Sequence, residues 1–446
     1  MPPKSKRRRL NNETVSSTNG ELARRAPDRA TWPGWCEVES EPAFFNVMLD
    51  EMGVRGIKIQ EVLGLDDELL AILPKPVHAF IFLFRYREVD KDKQETSCPP
   101  DVWFANQMPE FACATVALLN IVNNIPDLNL GLHLQSFKGF TKDLDPISRG
   151  DAITNFDFVR RIHNSFAREI DMYNVDLLLK SKHERAQKDK KNAAAREARA
   201  ASAAEKTAAK RHPLDNEISE DDEGFHFIAY MPIKGSVWKL DGLDSFPQNL
   251  GSLSNGDWLS IAKPALEARM AMYSEGQIEF SLMAVVSDPL IEARREFAEN
   301  VAAIRATEGK LTECDSAWRD LISKEDGVEE ALVTGMDIEH GLSDADIAGA
   351  AVPPDVQKEL QTQASRRKED VDVTQDLLQL RQRLVRIQAG CRVTVRDRMD
   401  ADRADADKAM HRRWDYGKFV AEWLRALHDN EALKPLVESV KAGGGE

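Results

Sequence analysis

No run of about 18 uninterrupted apolar residues occurs in the 446-residue chain, which removes a membrane-spanning helix. Cysteine is scarce. Cys36, Cys98, Cys113, Cys314 and Cys391 stand singly, with no CxxC pair and no Cys/His cluster at zinc-ligand spacing. Neither a metal centre nor a disulfide framework is expected, and a sparse, odd set fits a reducing compartment. No GxGxxG and no P-loop appears, so nucleotide chemistry is not expected and no cofactor is implied. Aromatic residues make up only 7% of the chain, and no repeat of solenoid length is visible. The opening residues lack the apolar segment of a secretory signal.

What is present is acidic and globular. Sixty Lys and Arg stand against 75 Asp and Glu, a net charge of −15, which argues against broad nucleic-acid binding. An apolar fraction of 42% supports a core, and 30% charged residues leave part of the chain as tail, linker or exposed helix. Lys4, Lys6, Arg7, Arg8 and Arg9 cluster as in a nuclear import signal, or as a solvated basic tail.

Residues 1–28 read as a disordered basic tail. Apolar spacing at Phe44, Phe45, Val47, Met48, Leu49 and Met52 predicts a helix ending at Gly53. VHAFIFLFRY (77–86) has the length and density of a buried strand, and ACATVALLNIVNN (112–124) reads as a buried helix. An amphipathic helix is predicted over 157–169. Residues 180–211 are rich in Ala, Lys, Arg and Glu and precede an acidic block. The segment 180–224 therefore reads as a low-complexity insertion that buries little and is transiently helical at most. Strands follow at 225–231, 236–243 and 278–288, with a helix before the last. Beyond Pro289 only helical patterns remain, ending in an amphipathic helix pair over 412–440. The expected fold class is α/β (α+β), mixed strands and helices followed by an all-helical C-terminal extension. The expected boundaries are 29–288 for a first domain, 289–400 for a helical linker and 401–441 for a helical tail.

Three side chains far apart in sequence suggest thiol chemistry. His226 and Asp241 lie in two strand-like runs joined by a turn at 232–235, whose centre is equidistant from both. A symmetric hairpin sets them directly opposite, with Cβ atoms about 5 Å apart. The carboxylate then accepts the His Nδ1–H and turns Nε2 towards a nucleophile, while Phe225 and Phe227 face the core. The same spacing also suits a His–Asp pair that only staples the hairpin. Cys113 falls at the predicted start of a helix, where free N–H groups favour a thiolate and an oxyanion. A small buried hydrophobe is the other reading of that residue. Gln107 lies in the entering loop, either as an oxyanion donor or as a surface side chain.

In GWCEVESEPAFF (34–45), GVRGIKIQEVLGL (53–65), PVHAFIFLFRY (76–86), ACATVALLNIVNN, IHNSFARE (162–169), FHFIAY (225–230), WKLDGL (238–243) and YSEGQIEFSLMAVVSD (273–288), the chain resembles the ubiquitin carboxyl-terminal hydrolase (UCH) family of cysteine proteases. The resemblance implies a papain-like fold, a central antiparallel sheet flanked by helices, with 29–288 as the catalytic domain, Cys113 as nucleophile, His226 as general base and acid, Asp241 orienting His226, and Gln107 in the oxyanion hole. It implies a crossover loop between Cys113 and His226 that arches over the active site. The length of 180–224 would admit bulky leaving groups. One position departs: Phe111 stands where the family usually has Asn two residues before the nucleophile.

Residues 411–438 resemble the ULD tail of the long, proteasome-associated type of this family. Trp414, Tyr416, Phe419, Trp423, Leu424 and Leu427 supply an apolar face expected to dock on a partner or on the chain's own catalytic domain. The resemblance implies ubiquitin as substrate, no metal or cofactor, and a deubiquitinase-adaptor (DEUBAD) partner, with a 19S proteasome ubiquitin receptor favoured. It implies a nuclear and cytoplasmic location. A chromatin-type relative with a Polycomb-type adaptor, and a catalytically idle ubiquitin-binding scaffold, are the competing expectations.

Overall fold

The computed structural model describes residues 29, 31–85, 95–203, 224–253, 256–272, 280–322, 332–364 and 371–443. The expected basic tail and import cluster, and the acidic block before His226, lie outside the described residues.

Six strands form one antiparallel sheet in the order β1-β6-β2-β3-β4-β5. They are β1 (Ile57–Glu61), β2 (Val77–Arg85), β3 (Phe225–Ile233), β4 (Ser236–Leu240), β5 (Gln248–Ser252) and β6 (Phe280–Ser287). The helices up to the central hairpin are α1 (Pro42–Met52), α2 (Asp67–Ala71), α3 (Cys113–Val122), α4 (Gly131–Thr141), α5 (Pro146–Thr154), α6 (Asp157–Asn164) and α7 (Glu169–Ala203). Then come α8 (Leu259–Ala271), α9 (Pro289–Cys314), α10 (Asp344–Gly349), α11 (Pro354–Ala364), α12 (Val371–Arg413), α13 (Gly417–Asp429) and α14 (Leu433–Gly443).

β2 is apolar without alternation because both faces of the sheet are covered. On one face, Ala79, Ile81, Phe227, Ala229 and Met231 pack with α1 and α3. On the other, Phe80, Phe82, Phe84, Ile228 and Tyr230 pack with α8. The α3 segment has an apolar residue at nearly every position, and it is buried from Ala114 to Val122. It is thus a core helix with its N-terminus at the sheet.

Three local expectations differ from the structure. The amphipathic helix stops at Asn164 rather than 169, and α7 starts afresh at Glu169. The low-complexity stretch is helical as far as Ala203. Ala, Lys, Arg and Glu are the strongest helix formers, and Met172 and Val175 anchor the first turns beside Trp32 and Cys36. The strand expected over 236–243 ends at Leu240, leaving Asp241 in the turn that follows.

The C-terminal helices carry cores of their own. The start of α9 packs near Val395 and its end against Val373, Leu377 and Leu384, so α9 and α12 run antiparallel. α12 continues unbroken through position 400 and lies on α1. Asn46 Nδ2 to Asp405 at 2.8 Å and Arg413–Glu51 at 2.6 Å tie them together, and Lys58 of β1 pairs with Asp402 at 2.7 Å. In α13 no residue is buried, and Trp414, Tyr416, Phe419, Trp423 and Leu424 are all exposed, with Leu427 half-buried. Of the two expected ways of covering this face, by a partner or by the rest of the chain, the second is not seen among the described residues.

Candidate active site

Residues 234 and 235 set the position of His226. Lys234 and Gly235 both have positive φ, 49° and 82°, so a two-residue turn closes the β3–β4 hairpin. Its centre is one residue later than the turn read from sequence. The observed pairs run from Ile233↔Ser236 to Ala229↔Leu240. Extending that register sets Asp241 beside Ile228, so His226 and Asp241 meet diagonally on one face rather than directly opposite. β3 thereby projects four residues beyond its pairing with β4, and the N-terminus of α3 lies at that end.

His226 Nε2 bonds Asp241 Oδ1 at 2.7 Å, with both side chains 5% exposed. The expected use of the ring nitrogens is therefore reversed: the carboxylate holds Nε2, leaving Nδ1 for the sulfur. The His226 side chain is hydrogen-bonded to Cys113. Burial pulls the imidazole pKa down, but the Asp241 charge and the hydrogen bonds from Asp241 and Cys113 outweigh it and raise it from 6.5 to about 9. Burial pushes the Asp241 carboxyl up, and the attraction and hydrogen bond of His226, then Lys239 and the Leu243 N–H, bring it below its ordinary value. The pair is an imidazolium–carboxylate.

Cys113 is the first residue of α3, and the first N–H groups of a helix have no carbonyl partner within it. Its half-buried side chain opens on a cleft of about 560 Å³, walled by residues 36–40, by the start of α7 and by Phe227. Phe225 lines this cleft with 54% of its surface exposed, so it is not a core residue as expected, whereas Phe227 is buried.

Gln107 is held from two sides. Its N–H donates to Gly242 O at 2.9 Å. Asn106, its neighbour, donates from Nδ2 to Gly242 O at 3.3 Å and to Asp244 O at 2.6 Å. The loop after Asp241 and the loop before Cys113 are thus one unit. The Gln107 Oε1 is buried and receives no hydrogen bond from the described residues. A Cβ on Gly242 would stand 3.1 Å from the Gln107 Cβ and 3.1 Å from Val116 Cγ1, so this close approach needs glycine.

Phe111 has φ 63°, a left-handed conformation that Asn tolerates and Phe rarely adopts. Its ring packs by Ala167, Met172 and Val175, and Lys182 of α7 lies 5.8 Å from its centre. Two features escaped the sequence reading. Asn106 carries no motif of its own. Arg412, 299 residues from Cys113 and on another helix, forms part of the cleft wall, which only the docking of α12 reveals.

Known proteins are similar to this chain in sequence. The chain is 35% identical over 255 residues to ubiquitin carboxyl-terminal hydrolase isozyme L5 of Dictyostelium discoideum, covering 57% of this chain and 62% of that protein. It is 32% identical over 282 residues to ubiquitin carboxyl-terminal hydrolase ubh-4 of Caenorhabditis elegans, covering 63% and 74%. A crystal structure of Trichinella spiralis UCH37 bound to ubiquitin vinyl methyl ester is 32% identical with a TM-score of 0.42, covering 59% of this chain and 86% of that one. The family described as "Ubiquitin carboxyl-terminal hydrolase, family 1" matches residues 35–271, more than half of the chain. The chain belongs to this family of cysteine proteases.

Proposed function

We propose that this protein is a deubiquitinating cysteine protease that hydrolyses amide and isopeptide bonds at the C-terminal glycine of ubiquitin. The observation that carries the reading is the chain of contacts Cys113–His226–Asp241 at the N-terminus of a buried helix beside an open cleft. The Cys113 thiolate attacks the glycine carbonyl, and the new C–S bond moves negative charge onto its oxygen. The Cys113 N–H and the Gln107 side chain donate to that oxygen. The imidazolium of His226 protonates the leaving amine as the C–N bond breaks, giving a thioester. Neutral His226 then takes a proton from water, which attacks the thioester and releases the ubiquitin carboxylate and the thiolate. Asp241 keeps the ring oriented throughout.

A ubiquitin–aminocoumarin amide and an electrophilic ubiquitin ester test the reading. Hydrolysis of the first and stoichiometric modification of Cys113 by the second are expected. An unmodified Cys113 would instead support the scaffold reading.

The catalytic loop yields a sharper expectation. Gly242→Ala should displace Gln107 by a few tenths of an ångström and lower kcat by about tenfold, with a smaller change in KM, because misplaced oxyanion donors weaken the transition state. Steady-state kinetics on the aminocoumarin substrate measures it, and an unchanged kcat would remove Gln107 from the proposed oxyanion hole.

We also propose that the C-terminal helices bind a DEUBAD-type adaptor, with a proteasomal ubiquitin receptor as partner, and that the protein works in nucleus and cytoplasm. The exposed face of Trp414, Tyr416, Phe419, Trp423 and Leu424 supports the first part, as soluble proteins seldom leave such a patch uncovered. The basic cluster at residues 4–9 supports entry into the nucleus. Deleting residues 417–443 should abolish capture of 19S subunits from extract and leave basal hydrolysis within about threefold, since none of these residues lines the cleft and Asp415 is kept. Capture of a chromatin adaptor instead would favour the histone-directed relative.

A further inference from the structure

The cleft beside Cys113 has two walls of opposite origin. Glu39 comes from the extended segment before α1, and Asp171 from the first turn of α7. Two carboxylates facing each other across a groove repel, and a third acid, Glu37, lines the same cleft. Arg168 pairs with Asp171 at 3.3 Å, and one further side chain bridges both walls. Arg412, in the last turn of α12, donates from Nε to Glu39 Oε1 at 2.9 Å and from Nη2 to Asp171 Oδ2 at 3.3 Å. Its side chain is only 15% exposed, and its Nη1 is buried with no acceptor.

The placement of Arg412 is independently fixed. Arg413 makes a two-pronged ion pair with Glu51 at 2.6 and 2.8 Å and stacks 4.4 Å over Phe166. Its carbonyl accepts from Arg29 at 3.0 Å, and Asp415 accepts from the Glu169 N–H at 3.0 Å. The end of α12 is thus clamped where α1 and α7 converge. Arginine suits the position because its planar fork serves two carboxylates and still has N–H groups to offer.

We propose that Arg412 is a specificity-determining positioning residue of the substrate groove, supplied by the C-terminal extension to the catalytic lobe. It fixes the Glu39 and Asp171 walls relative to one another, and so shapes the mouth through which an extended glycine-ended tail reaches Cys113. The inference rests on the hydrolase reading above and deepens it: the groove takes its substrate through a residue outside the matched span 35–271.

The test uses the full chain with the ubiquitin–aminocoumarin substrate, comparing Arg412→Ala, Arg412→Lys and Arg413→Ala with the unaltered protein. Arg412→Ala should raise KM about tenfold with kcat within about twofold, since the two groove walls lose the charge-assisted bridge that holds them while the thiolate and its histidine are untouched. Arg412→Lys, which keeps the charge but not the fork, should recover part of that loss. Arg413→Ala should leave KM within about twofold even where it lowers Tm. A KM unchanged in Arg412→Ala would overturn the inference. So would an equal rise in Arg413→Ala, since the effect would then belong to helix docking at large. No turnover by the unaltered protein would instead overturn the hydrolase reading, and the inference with it.

Discussion

Replacing Cys113 with alanine is expected to lower hydrolysis of a ubiquitin C-terminal amide by about 10⁴-fold or more and to leave ubiquitin binding nearly intact. The first half follows from the lack of a substitute. Cys36 lines the same cleft, but burial, and then the negative charges of Asp171 and Asp176, push its thiol up to about 12. A thiol held neutral is a poor nucleophile. Cys36 is also fixed as structure: its N–H donates to Asn164 Oδ1 at 3.2 Å and its carbonyl accepts from His163 Nε2 at 2.5 Å. The second half follows from the cleft, most of whose lining is untouched when one sulfur is removed. Initial rates and binding anisotropy with labelled ubiquitin measure both. Turnover within tenfold of the unaltered enzyme would mean that a different nucleophile does the work.

The sequence and the coordinates agree most where a pattern is strong and local. The spacing from Phe44 to Met52, with Gly53 after it, marks the end of α1 to the residue, though the helix starts earlier, at Pro42. The unbroken apolar run of β2 identifies a strand covered on both faces. Weaker signals failed for physical reasons. β1 and β5 have five residues each, too few for an alternation to stand out, and β5 carries Gly251 where a strand former would be expected. The shift of the hairpin by one residue came from taking Pro232 as part of the turn. Pro232 in fact pairs with Val237 in the ladder, and the left-handed pair Lys234–Gly235 makes the bend. Spacing could bring His226 and Asp241 together but could not orient the ring. Arg412 was beyond reach altogether, because its contacts to Glu39 and Asp171 depend on how α12 packs on α1.

Asp241 should govern both the rate and its pH limit. The raised pKa of His226, about 9 against an ordinary 6.5, means that the folded protein binds a proton the unfolded chain releases earlier. This group therefore contributes stability that is fully present below about pH 6.5 and is lost as pH rises through about 9. The same proton is the one delivered to the leaving amine, so the alkaline limb of kcat/KM should report the same group. Asp241→Asn keeps a carbonyl oxygen that can accept the Nε2–H, so the ring stays oriented, but the charge that favours the imidazolium is gone. The alkaline limb should move towards acid and the rate should fall by about ten- to a hundredfold at neutral pH. Asp241→Ala removes both functions and should cost about 10³-fold or more, as a ring free to turn about its bond loses the alignment that Nδ1 needs towards the sulfur. In both variants the loss of stability should be greatest below pH 6.5 and should shrink as pH approaches 9, where the unaltered protein gives up the same proton. Rate–pH profiles and urea unfolding at several pH values test the two statements separately. An alkaline limb that stays in place in Asp241→Asn would show that the carboxylate is not what holds the proton on His226.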